Sequence, residues 1–369
     1  MIHTREHTRR LNLGGVPLGH GAPVVVQSMT TTDPADPAAT LAQIRALAAA
    51  GCEVVRCAVP HEAAARALAS IVDQSPLPVV ADIHFDSRLA VAAAEAGAAG
   101  LRINPGNIGG AAALDRVVDA ARAAGAVIRV GANSGSLPKD LLAKHGGPTP
   151  AALAEAALSR VAMLEERGFT NIKASLKSSH VPTTLAACRR FAELSDCPQH
   201  LGITEAGGLI AGTVKSAVGI GALLLEGLGD TLRVSLTADP VREVEVAWHL
   251  LAAVGLRRRG VEIISCPTCG RTEIDLFSLA EKAERELARV RAPLTVAIMG
   301  CVVNGPGEAA QADVGLAGGR GQGVIFARGQ VIKKVPEARL LAEFLAEVAR
   351  AEAQYLEQVT EEDKSGENP

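Results

Sequence analysis

Three cysteines of this 369-residue chain are spaced for chemistry. Cys266-Pro-Thr-Cys269-Gly and Met299-Gly-Cys301-Val-Val-Asn-Gly-Pro-Gly-Glu308 each follow a short β-rich run, so two equivalent loops present three thiolates. Two such loops can close on one metal centre. A structural zinc site would normally be completed by a fourth Cys or His, and no His lies beyond His249, which favours a [4Fe-4S] cluster with one iron left for another ligand. Glu308, displayed in a Gly-Pro-Gly turn, is the oxygen donor within reach of that iron. A structural zinc site of the CxxC type is the competing reading. Cys52, Cys57, Cys188 and Cys197 fall in or beside expected strands and helices and read as buried, inert thiols.

A second set of reactive residues lies upstream, on strands whose alternation puts polar side chains on one face. Leu101 and Ile103 alternate with Arg102 and Asn104; Ile128 and Val130 with Arg129 and Gly131, continuing to Asn133. The same holds for Lys173, Ser175 and Lys177, and for Arg233, Ser235 and Thr237. A buried unpaired charge costs several kcal/mol, so an inward ring of Arg and Lys requires an anion or carboxylate partners. Arg56, Arg102, Arg129 and Lys177 come from four strands, and Asn133, Thr204 and Ser235 are donors for the same anion. Asp82 and His84 end the third strand with inward parity and either orient the cations, assist proton transfer or serve as structural hydrogen-bond partners. Asn104 and Arg233 are further candidates, whereas His145, His180 and His200 read as surface or loop residues.

The elements that must position these residues follow from periodicity. Eight strand candidates, at 23–29, 52–59, 78–84, 100–104, 127–133, 171–177, 200–206 and 231–237, alternate with Ala-rich helical stretches. Eight β/α repeats predict a (β/α)8 TIM-type barrel over residues 1–256, with an open doubly wound sheet as the alternative. The period changes after Arg257-Arg258-Arg259-Gly260, and residues 261–355 predict a small α+β domain. Its expected order is strand, Cys loop, helix 276–291, strand 294–300, Cys loop, a Gly-rich hairpin and a helix over 336–355. The polar segment 356–369 reads as a disordered tail. A net charge of -3 and 2% aromatic residues argue against nucleic-acid binding. No apolar run approaches a membrane span and MIHTREHTRR has no apolar leader core, which predicts a cytoplasmic protein without a disulfide framework.

Together SCPTCGR (265–271), MGCVVNGPGEA (299–309), LRINPGNIG (101–109), ADIHFD (81–86), LGITEAG (201–207), GDTLRVSLTADP (229–240) and QSMTTTD (27–33) resemble the 4-hydroxy-3-methylbut-2-en-1-yl diphosphate synthases of the methylerythritol phosphate route to isoprenoids. The resemblance runs from about residue 9 to 350. It implies a two-electron reductive dehydration that opens 2-C-methyl-D-erythritol 2,4-cyclodiphosphate, with one [4Fe-4S] cluster per subunit and electrons from flavodoxin or ferredoxin. It also implies a homodimer in which the cluster domain of one subunit caps the barrel of the other. The direct step from Leu256 to Val261 leaves no room for the extra domain of plant members, so the compact bacterial type is expected. The resemblance associates Arg56, Arg102, Arg129, Asn133, Lys177, Glu205 and Ser235 with substrate. Glu205, in Thr204-Glu205-Ala206-Gly207, is the acid expected to protonate the departing hydroxyl, with an ion pair to Lys177 or Arg233 as its structural alternative. Two other readings compete: a pterin- or corrinoid-type barrel enzyme with a structural zinc module, and an electron-transfer or scaffold protein whose barrel is silent. The polar inward residues speak against the latter.

Overall fold

The computed structural model describes residues 2–301, Gly307 and 309–365, with side chains described as far as Glu361. The chain divides into two compact units, Met1–Arg257 and Arg258–Pro369.

The first unit opens with a small hairpin, β1 (Leu11–Leu13) and β2 (Val16–Leu18), which turns at Gly14 and Gly15. Both glycines have positive φ (59° and 92°), a conformation that strains any residue with a Cβ. Eight parallel strands follow: β3 (Val25–Met29), β4 (Val54–Ala58), β5 (Val79–Asp82), β6 (Gly100–Ile103), β7 (Val127–Asn133), β8 (Ile172–Lys177), β9 (His200–Leu201) and β10 (Thr231–Leu232). Their spatial order is β8-β7-β6-β5-β4-β3-β10-β9, and a parallel bridge between Ala174 and Gln199 joins β9 back to β8. This is the predicted barrel.

Helices α1 (Pro37–Ala50), α2 (Glu62–Gln74), α3 (Ser87–Glu95), α4 (Ala111–Ala123), α5 (Lys139–His145), α6 (Pro150–Glu165), α7 (Val181–Leu194), α8 (Leu209–Leu225) and α9 (Pro240–Ala253) connect the strands. Local signals start several of them: Asp36, Thr149 and Asp239 each accept a backbone N–H of the first turn and precede a Pro. Small Ala side chains such as Ala90, Ala93, Ala121 and Ala157 are fully buried, which brings the helices close to Val55, Leu101, Ile128 and Ile172 on the outward face of the strands.

The seventh and eighth strands are shorter than the predicted 200–206 and 231–237. Beyond Leu201 the chain continues as loop, and a Cβ at position 202 would lie 2.5 Å from Lys177 Nζ and 2.7 Å from the Arg233 carbonyl, so glycine permits this close approach. The hairpin β1–β2 was not expected from the sequence. Leu11, Leu13 and Leu18 pack against Val25, Val54, Val80 and Val127, closing the N-terminal end of the barrel.

The second unit is a five-stranded sheet in the order β11-β12-β13-β14-β15, comprising β11 (Glu262–Ser265), β12 (Thr295–Met299), β13 (Val314–Gly319), β14 (Gln322–Ala327) and β15 (Gln330–Pro336). The first three strands are parallel and the last two antiparallel. Strand β13 was not anticipated, because Val314-Gly-Leu-Ala-Gly-Gly reads as loop when its burial is unknown. Helix α10 (Leu276–Leu287) and the last helix, α11 (Leu340–Ser365), cover one face, where Leu287, Phe344 and Val348 meet Val296, Ile298, Leu316 and Ile325. Helix α11 continues to Ser365, through residues 356–365 of the segment expected as a tail, and 366–369 lie outside the described residues. Leu340, Phe344, Val348, Ala351 and Tyr355 form one apolar stripe against the sheet, and the helix carries on past it without a Pro or Gly to stop it. Among the described residues no helix is long and apolar enough to cross a membrane.

Candidate active site at the C-terminal end of the barrel

Neighbouring parallel strands carry their inward residues in register. Asp82 is level with Arg102 across β5–β6, Arg102 with Arg129 across β6–β7, and Asn133 with Lys177 across β7–β8. Asp82, the last residue of β5, is therefore ringed by cations. Arg102 Nη1 donates to Asp82 Oδ1 at 3.2 Å, and Arg56 Nε lies 3.6 Å from Asp82 Oδ2. His84 Nε2 is 3.6 Å from Asp82 Oδ1 and 2.9 Å from Arg102 Nη1. Burial pushes the Asp82 carboxyl up, but His84 and the guanidinium groups of Arg56, Arg102 and Arg129 pull harder and hold it below the ordinary carboxylate range. Asp82 and His84 thus tie the cations in place.

The cations outnumber their partners. Arg129 donates to Ser175 Oγ at 2.9 Å, a neutral acceptor, and its Nε is buried with no acceptor. Arg56 directs Nε and Nη2 at the Met29 sulfur (3.1 and 2.9 Å), a weak acceptor. Lys177 makes no hydrogen bond or ion pair among the described residues and is 8% exposed. Burial, then repulsion from Arg129, Arg56, Arg233 and Arg102, drives Lys177 well below its ordinary value. Arg129 is lowered in the same way, by burial and then by Arg56 and Arg102, and Arg56 falls to about 10, chiefly through burial. Arg233 is the exception: Nε and Nη2 each donate to Glu243 at 3.1 Å. Among the described residues, Arg56, Arg102, Arg129, Lys177 and Arg233 face only Asp82 and Glu243 as carboxylates.

Several predicted donors at the strand ends have no side-chain hydrogen bond among the described residues: Asn133, Thr204 and Ser235, all half-buried. Asn104 is partly committed, since its Oδ1 accepts Gly106 N–H at 3.3 Å. Glu205 is exposed in the loop after β9 with φ 51°, and its alternative ion pair to Lys177 or Arg233 is not formed; Arg233 is taken by Glu243 instead. For a residue with a Cβ that left-handed conformation costs about 1–2 kcal/mol, and such strain concentrates where a side chain must be aimed.

Sequence reasoning missed Glu243 on α9, which besides Arg233 accepts Ser28 Oγ (3.0 Å) and the Leu236 N–H (3.1 Å). No local signal marks it, because its partners lie on β3 and beyond β10. His200 is corrected from a surface or loop residue to a buried one on β9, bonded through Nδ1 to Thr231 Oγ1 at 2.8 Å. Inward parity at the start of a strand was the available signal. His180 is an exposed residue preceding α7, and His145 meets Glu155 at 2.8 Å on α5.

In the second unit, β11 and β12 run parallel with Ser265 level with Ile298, so Cys266 and Cys301 follow the ends of adjacent strands. The Gly300 N–H points at Cys266 Sγ (3.4 Å). Cys266 and Cys301 are half-buried and Cys269 exposed, and the Arg271 backbone N–H and side chain hold the Cys269 thiol below its ordinary value. Predicted ligand Glu308 lies outside the described residues, and among those described no three Cys, His, Asp or Glu side chains converge closely enough to hold a metal ion. The donor set nevertheless suits an iron-sulfur group: accessible sulfurs from two adjacent loops with a backbone N–H aimed at one of them. The barrel cysteines are the opposite. Cys52, Cys57, Cys188 and Cys197 are at most 3% exposed, and burial raises their thiols, the first three to about 12, 11 and 12.

Residues 8–248 match the model of the GcpE TIM-barrel domain, and residues 262–350 that of the GcpE protein C-terminal domain. A relative from Maridesulfovibrio salexigens named 4-hydroxy-3-methylbut-2-en-1-yl diphosphate synthase (flavodoxin) is 60% identical over 93% of this chain and 96% of its own length. Relatives of the same name from Geobacter sulfurreducens (56% identical, 94% and 98% of the two chains) and Aquifex aeolicus (52%, 95% and 98%) match as fully.

Proposed function

This chain belongs to the GcpE family, and from that premise we propose that it converts 2-C-methyl-D-erythritol 2,4-cyclodiphosphate to (E)-4-hydroxy-3-methylbut-2-enyl diphosphate by two-electron reductive dehydration. The observation that carries the reading is the excess of cations at the barrel mouth, where five side chains, from β4, β6, β7, β8 and the segment just after β10, face two carboxylates. An uncompensated group of that kind is stable only when an anion with several acceptor oxygens occupies it for part of its working life. A cyclic diphosphate is such an anion.

Arg56, Arg102, Arg129 and Lys177 hold the two phosphoryl groups, and Asn133, Thr204 and Ser235 donate to their remaining oxygens. Arg233, held by Glu243, adds to the positive field. Asp82 and His84 keep Arg56 and Arg102 oriented when substrate leaves. Glu205, with an uncommitted carboxyl, delivers the proton with which the hydroxyl departs as water. Cys266, Cys269 and Cys301, with Glu308, would hold one [4Fe-4S] cluster per subunit. When bound, that cluster would supply the two electrons of the reduction, one at a time. Flavodoxin, named for the relatives, is the electron donor we favour. The working enzyme is a cytoplasmic homodimer in which one subunit's cluster domain covers the partner's barrel.

The test is anaerobic purification, iron and acid-labile sulfide analysis, and an assay on the cyclic diphosphate with reduced flavodoxin. Brown protein with about four irons per chain that turns over is the expected result. Colourless protein carrying one zinc and no activity would favour the pterin- or corrinoid-type reading instead.

A further inference from the structure

Below the proposed diphosphate site the barrel axis contains an ammonium side chain with no partner. Lys173 on β8 is level with Arg129 on β7, 1% exposed, and its Nζ has no hydrogen-bond partner among the described residues. The charged and titratable groups that face it are Arg129 from β7, Arg56 from β4, His200 from β9 and Asp230 just before β10, with Lys177 further along its own strand. Asp230, the one carboxylate of this set, is already engaged: its oxygens accept Thr8 Oγ1 at 2.9 Å and the Gln199 N–H at 2.8 Å. His200 uses Nδ1 on Thr231 and leaves Nε2 bare, and the buried Gln27 Oε1 is bare too.

A charged amine in this place faces two guanidinium groups with no compensating bond, a situation that costs several kcal/mol. Burial first, then Arg129 and Arg56, push Lys173 down to about 7, against the opposing pull of Asp230. A diphosphate seated on Arg56 and Arg129 reverses the balance, because it neutralises the groups that repel a proton on Nζ and adds a negative field of its own.

We propose that Lys173 couples diphosphate binding to protonation: without a partner beneath the unliganded site, its amine takes up a proton from solvent when the substrate binds above it at a pH where it is not already charged. Substrate binding and proton uptake are thereby coupled. The step forms one N–H bond on Nζ at the expense of a buffer acid and moves no electrons. The inference rests on the reading of the mouth as a diphosphate site.

Calorimetric titration of the full-length, non-reduced protein with 2-C-methyl-D-erythritol 2,4-cyclodiphosphate, in buffers of different ionisation enthalpy, counts the protons. Each phosphorus of this ligand carries a single strongly acidic hydroxyl, so the ligand does not titrate near neutral pH. Uptake is expected to rise from near zero at about pH 6, where Lys173 is already charged, towards about one proton per chain above about pH 8. Lys173→Met should bind the ligand without uptake and melt no lower than wild type, since it removes a buried unpaired amine. Lys173→Arg, which stays charged, should also bind without uptake, and it serves if the Met variant does not fold. Uptake that persists in these variants would overturn the assignment to Lys173. Wild-type binding with no uptake at any pH would overturn the coupling while leaving the diphosphate site standing. No binding at all would remove the site and this inference with it.

Discussion

The two ends of the barrel are made by the same strands and are separated within them by single residues. In β4 Val54 belongs to the N-terminal plug and Arg56 to the cationic mouth; in β7 Val127 and Arg129 divide in the same way. Two residues along a strand are about 6.6 Å apart and share a face, so the axis changes from a dry leucine and valine layer to a charged one within one side-chain row. The plug can hold the barrel closed because the mouth does not have to. Stability and ligand binding are thereby assigned to opposite ends, and substitutions should separate them.

The largest effect is expected for activity at the mouth. Glu205→Gln should lower kcat by about 10²–10⁴-fold while the cyclic diphosphate still binds, as read by steady-state kinetics beside calorimetry. Loss of binding in parallel would show that Glu205 holds substrate rather than moving a proton. At the other end Leu13→Ala should cost about 2–5 kcal/mol of unfolding free energy in urea and leave kcat/KM per folded molecule unchanged. A fall in kcat/KM without a fall in stability would mean that the plug is not separate from the site.

A smaller effect is expected for Lys177→Met: about 1.5–3 kcal/mol weaker binding of the diphosphate, with a melting temperature equal to or above wild type. A pH titration sharpens the same contrast. The Asp82 carboxyl is held below its unfolded value of 3.8, so its contribution to stability is complete above that pH and is lost as the pH falls below it. The unfolding free energy should therefore fall more steeply between about pH 5 and pH 2 in wild type than in Asp82→Asn. The smallest effect is expected for Cys188→Ala, a buried thiol bonded only to the Leu176 carbonyl at 3.7 Å, which should leave turnover and iron content unchanged.

Much of this division could be read from the sequence, because both alternation and β/α repetition are local. Arg102, Arg129 and Lys177 were placed inward by parity alone, and the ladder registers agree. What escaped was set by distant neighbours. Strands β1 and β2 are three residues each, too short for a periodic signal, and Leu13 acquires its role only from Val25, Val80 and Val127. Glu243 reads as one acid on an amphipathic helix until α9 lays it against Arg233. Lys173 had the right parity, but nothing in the strand Ile172–Lys177 tells which of its two buried lysines lies level with Arg129 and which lies level with Asn133. The close approach of Lys177 Nζ to Gly202 is a contact between neighbouring strands that the sequence alone does not display.

The most direct test of the account is binding of the cyclic diphosphate to the double variant Arg56→Met, Arg129→Met, measured by calorimetry beside thermal unfolding. The account predicts one site per chain in wild type, weakened by salt, and loss of binding in a variant that melts no earlier. A variant that binds the cyclic diphosphate as tightly as wild type would contradict it.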